Sequence, residues 1–89
     1  PVVELNRAVA VSMAFGPEEG LALIEELAEE PALRDYHLLP AARGDLLLKL
    51  GRRPEAKEQF ERAAALTNNA REKALLTARA AECGNDAPN

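Results

Sequence analysis

Few side chains in this 89-residue chain are equipped for bond-making chemistry. His37 is the lone histidine and Cys83 the lone cysteine. Neither has a Ser, a second His or a Cys near it in sequence to complete a nucleophile and base. One cysteine makes no internal disulfide, and no Cys/His spacing of a structural metal site occurs. Carboxylates are plentiful. Glu25, Glu26, Glu29 and Glu30 repeat at i,i+4, however, the pattern of a solvated helix face, and acid–base work needs a pocket that shifts a pKa. Gly16-Pro17-Glu18-Glu19-Gly20 reads as a helix start and a packing glycine, not a phosphate loop. The expectation is a chain with no catalytic residue, no cofactor, no metal and no small-molecule substrate.

Charge narrows the partners. The net charge of -4 argues against sequence-independent nucleic-acid binding. Eight acids and two bases fall in residues 1–35, whereas nine bases and five acids fall in 36–80. An acidic patch facing a basic partner is one reading, and two solvated helix faces of differing charge is the simpler one. The basic run Arg52-Arg53, with Arg43, Lys49 and Lys57, has no aromatic side chains for base stacking and is interrupted by Glu55 and Glu58. No apolar run approaches the ~20 residues that span a bilayer, and no signal-peptide pattern opens the chain.

The elements that position these residues read as all-α. Helices are expected over Val2–Phe15, stopped by Gly16; from Pro17 to about Glu30, broken by Pro31; from about Asp35 to Leu50, ended by Gly51; from Arg53 to about Leu66; and from an Asn69 cap to about Cys83. Pro40 predicts a kink or a late start in the third helix. Glu58 stands four residues before Arg62, a favourable surface pair. With aromatics at 3%, the core is left to Leu, Ala, Val and Ile, with Phe15, Tyr36 and Phe60 placed in it. Residues 1–83 form one domain, and 84–89 a disordered tail. The start at Pro1 suggests a piece of a longer protein.

The helix pairs repeat. Gly16 and Gly51 are 35 residues apart; Gly20 and Ala56, Ile24 and Phe60, and Leu27 and Ala63 are each 36 apart. A helix-pair period of roughly 34 residues is that of tetratricopeptide (TPR) arrays. The expected fold is TPR-like antiparallel helix pairs, about five helices, with the last as a C-terminal cap.

The segment GDLLLKLGRRPEAKEQFERAAAL resembles a TPR motif, with Gly44, Gly51, Ala56, Phe60 and Ala63 at its small and large positions. Pro40 stands where the motif has a large aromatic, and Leu47 where it has Tyr. A wider resemblance covers nearly the whole chain. PVVELNRAVAV, YHLLPAARGDLLLKLGR and FERAAALTNNAREKALL, in this order, resemble the C-terminal extension of a subgroup of bacterial extracytoplasmic-function (ECF) RNA polymerase sigma factors.

That resemblance implies a cytoplasmic transcription-initiation factor whose DNA-contacting domains lie upstream of Pro1. The implied partners are the sigma core domains of the same chain and RNA polymerase. Groove positions carried over from the TPR motif are Val3, Asn6, Ala10 and Met13 in the first copy, with Arg7 beside Asn6. In the second copy they are Leu38, Ala41, Asp45, Leu48 and Lys49. Asn6, Arg7 and Asp45 have a competing role in helix-to-helix bonds that set the stacking. A freestanding TPR adaptor for peptide segments is the alternative function.

Overall fold

The computed structural model describes residues 2–84. It has five α-helices: α1 (Val2–Phe15), α2 (Pro17–Leu27), α3 (Leu38–Lys49), α4 (Arg53–Leu66) and α5 (Ala70–Gly84), with a 3-10 turn at Pro31–Leu33 between α2 and α3. No strand occurs among the described residues. The helices stack as a zigzag of antiparallel pairs, each packing on the next, and α1 also touches α3. The body measures 38 × 30 × 18 Å, about two helices thick. One layer holds α1, α3 and α5; the other holds α2 and α4.

The turns within pairs follow from two glycines. Gly16 has φ 111° and Gly51 φ 80°, a backbone that L side chains rarely adopt, and these close α1 onto α2 and α3 onto α4. Pro17 and Pro54 then occupy the first helical turns, where no N–H is missed.

The link between pairs departs from expectation. α2 ends at Leu27, three residues before Glu30, because Pro31 forces Glu30 into an extended backbone (φ -78°, ψ 117°). Leu33, 1% exposed, joins the core from this turn. α3 starts at Leu38 rather than Asp35. Pro40 sits third in the helix, where it needs no partner, and the Tyr36 carbonyl accepts from Leu39 N–H instead (3.1 Å).

Close approach holds each pair together. A Cβ on Gly20 of α2 would lie 2.3 Å from Ser12 Cβ of α1, and one on Gly44 of α3 would lie 2.9 Å from the Phe60 ring of α4. Phe60 and Ile24, both 0% exposed, fill the centres of the two pairs. Phe15 does not join this core. It is 75% exposed, since it ends α1 just where the chain turns away at Gly16. Tyr36 is half-buried against the core.

α5 is capped by Asn69, whose Oδ1 accepts from Glu72 N–H at 2.9 Å. Glu72 does not return the bond. Its carboxylate accepts from the Thr67 hydroxyl (2.9 Å) and lies 2.9 Å from His37 Nε2. Gly84, expected in the tail, belongs to α5, and Cys83 is buried against the core. Residues 85–89 of the expected tail lie outside the described residues.

Candidate protein-docking face

The layer of α1, α3 and α5 carries nearly all the exposed apolar bulk. Among the described residues the exposed large hydrophobic side chains are Val2, Val3, Val9, Met13, Phe15, Leu38 and Leu75. None lies on α2 or α4. Val2, Val9 and Met13 fall on one stripe of α1. Met13 is 80% exposed and Leu75 61%. A solvated side chain of this size gains free energy wherever a partner covers it.

Two shallow seams run along this face. In the α1–α3 seam Val9 and Met13 meet Ala42, Asp45 and Lys49. In the α3–α5 seam, a cleft of about 250 Å³, Leu38 and Ala41 meet Leu75, Leu76 and Arg79. His37 closes one end of that cleft. It caps α3, meets the Tyr36 ring edge-on at 5.8 Å and contacts Glu72, an arrangement that joins α3 to α5.

The groove positions expected from sequence do not all come together. Met13, Leu38, Ala41, Asp45 and Lys49 line the seams. Asn6 and Ala10 are exposed on α1, outside both seams, and the Asn6 side chain has no partner among the described residues. Arg7 is turned away. It lines a cleft between α1 and α2 at the open end of the stack, beside Val11, Leu23 and Glu26. Val3 is exposed at the edge of the face, and Leu48 is half-buried against the core.

Asp45 accepts from Arg79 of α5, so the helix-to-helix role holds for it even within the seam. The Arg79 guanidinium also sits 4.6 Å from the centroid of the Phe60 ring. Sequence reading missed the α5 half of the face: Glu72, Leu75, Leu76 and Arg79. The signal was present. Ala80 follows Gly44 by 36 residues as Gly44 follows Ala8, and Arg79 follows Arg43 as Arg43 follows Arg7. The cap thus repeats the pattern of α1 and α3.

The opposite layer is polar. Arg43 donates to Glu25 through Nε (3.1 Å) and Nη2 (2.5 Å), a fork tying α3 to α2. Arg52 makes the same fork with Glu55, both bonds 2.7 Å. That bond holds the Glu55 carboxyl below its ordinary range and raises Arg52. Arg53 donates to the Glu82 carbonyl at 2.9 Å. The basic run is therefore engaged locally. The expected Glu58–Arg62 pair does not form. Among the described residues no group of His, Cys, Asp and Glu could hold a metal, and no helix is long and apolar enough to cross a membrane.

No family model matches the chain, and no solved structure matches it. A protein of Rhizobium meliloti (strain 1021), described only as uncharacterized, is 51% identical to it over 76 residues. The match covers 85% of this chain and 18% of that protein, so the chain spans under a fifth of its relative's length.

Proposed function

We propose that this chain is a TPR-like module that acts as a non-catalytic regulatory domain of an ECF-type sigma factor, in the cytoplasm. Its partners on this reading are the sigma core domains of the same protein or RNA polymerase. One observation carries the docking role: the exposed large apolar side chains gather on the layer of α1, α3 and α5 and are missing from α2 and α4. In stacked helix-pair arrays the first helices line the inner surface, where partners bind. Apolar anchors such as Met13, Leu38 and Leu75 would supply affinity. Lys49 and Asn6 would orient the partner.

The TPR-like reading is supported by the 36-residue recurrence of Ala8, Gly44 and Ala80 on the first helices, and of Ile24 and Phe60 on the second. The sigma-factor reading is supported by the three strings that resemble the ECF extension. The matched Rhizobium protein, more than five times as long as the matched stretch, accords with a module carried in a longer chain. Docking would shift the population between free and engaged states of the factor.

The test is run-off transcription with RNA polymerase core and the longer parent protein, with and without residues 1–89, the truncated form first checked for folding by circular dichroism. Transcript lost on deletion means that the domain is needed for engagement. Transcript gained means that it is an internal brake. Equal transcript from both forms contradicts the proposal and leaves the peptide-binding adaptor as the better account of the same face.

A further inference from the structure

Three arginines converge on the side of the molecule away from the docking face. Arg34 comes from the turn after Leu33, Arg43 from α3 and Arg62 from α4, and together they line a cleft of about 210 Å³ where the two helix pairs meet. Gln59 adds an amide, and Ala28, Leu39 and Pro40 form the apolar wall. Among the described residues the Arg34 and Arg62 side chains have no hydrogen bond or ion pair. Arg43 uses Nε and Nη2 on Glu25, which leaves its Nη1 donors. Three guanidiniums thus face one paired carboxylate, an excess of two positive charges.

Stacking does not call for this charge. The first helix pair forms the corresponding cleft from Glu4, Arg7, Val11, Leu23, Glu26 and Leu27. Pro40, Arg43, Gln59 and Arg62 stand 36 residues on from Glu4, Arg7, Leu23 and Glu26. The same frame therefore tolerates carboxylates at two of these positions. In the cleft of the second pair, where Ala28 beyond the end of α2 joins the wall, Pro40 and Arg62 replace them and Arg34 is added from the linking turn. Bringing like charges together costs Coulomb energy that a bound anion would reverse.

We propose that the Arg34–Arg43–Arg62 cleft is a binding site for a phosphate dianion, free or as a terminal phosphomonoester. Guanidinium forks match the oxygens of a phosphate group, and the double positive excess matches its charge. Gln59 would donate to one further oxygen. The paired Glu25 would keep Arg43 in place while its free donors turn toward the ligand.

The test is a titration of the isotope-labelled protein with inorganic phosphate at pH about 7.5, where the dianion predominates, followed by amide and arginine side-chain NMR. The expected result is saturable shifts centred on Arg34, Arg43, Gln59 and Arg62, with a Kd of about 1 mM or tighter. Arg34→Gln with Arg62→Gln should weaken binding about tenfold or more. Arg62→Glu, which restores the charge found at Glu26, should abolish it. All three are surface changes, and the unchanged remainder of the spectrum reports that the fold is intact. Arg71→Gln with Lys73→Gln on α5 should leave binding unchanged. Methyl phosphate binding as well as inorganic phosphate assigns the site to an esterified ligand; inorganic phosphate alone assigns it to the free ion. Non-saturating shifts spread over all basic surfaces, or wild-type affinity in the Arg34/Arg62 variant, would overturn the site. So would equal binding of dimethyl phosphate, a monoanion like a nucleic-acid backbone unit.

Discussion

The first helix pair and the second share a frame but fill it differently. In α1–α2 the close approach is made by Gly20 of the second helix against Ser12 and Ala8 of the first. In α3–α4 it is made by Gly44 of the first helix against the Phe60 ring of the second. What recurs is a point of near contact beside one large buried side chain, Ile24 or Phe60, and not the helix that yields the space. The pairs also differ in cover. Leu39, Pro40, Leu46 and Leu47 are buried under the neighbouring pair, whereas Val3, Glu4, Ala10 and Val11, each 36 residues earlier, stay open or half-open.

The sharpest way to break this comparison is at the two centres. Phe60→Ala should cost ~3–5 kcal/mol and Ile24→Ala about 2–4 kcal/mol in denaturant melts. For so small a domain either is a large share of its total stability. A loss below about 1 kcal/mol for Phe60→Ala would sink the repeat alignment.

The glycines come next. Gly20→Ala should destabilise by about 1–3 kcal/mol and by more than Gly44→Ala. At Gly20 the added methyl would meet Ser12 Cα (2.9 Å) and the Ala8 carbonyl oxygen (3.0 Å), backbone that shifts only with the helix. At Gly44 its three nearest neighbours would all be atoms of the Phe60 ring, a side chain that can turn aside. The reverse order would mean that the second pair, not the first, is the tighter contact.

The smallest stability effect is expected on the docking face. Met13→Ser and Leu75→Ser should each change stability by no more than about 0.5 kcal/mol, because both side chains are largely solvated. If the proposed docking role is right, binding to the sigma core domains, measured by calorimetry, should fall sharply for both. Retained binding would move the docking surface elsewhere.

Much of the fold was legible from local signals. Gly16, Gly51, Pro17, Pro54 and the Asn69 cap each act within one turn of their own position, and the helix limits they set agree closely with the structure. The 36-residue recurrence revealed which residues pack at the pair centres. Signals that depend on distant neighbours were harder to read. Arg7 lines the α1–α2 cleft beside Leu23 and Glu26, a placement its own segment does not encode. Phe15 resembles a core aromatic until the turn at Gly16 is seen to carry the chain away from it. Asp45 could serve a ligand or a neighbouring helix, and the choice rests on Arg79, 34 residues later. The exposed apolar layer is half legible for the same reason: the resemblance names positions on α1 and α3 and none on α5, where Leu75 is also exposed.

The most direct measurement is backbone hydrogen exchange in three samples: residues 1–89 alone, the longer parent protein, and the parent with RNA polymerase core. Regulatory docking through the apolar layer predicts slower exchange along α1, α3 and α5 in the parent or in its polymerase complex, with α2 and α4 unchanged. Identical exchange in all three samples, or slowing confined to α2 and α4, would contradict it.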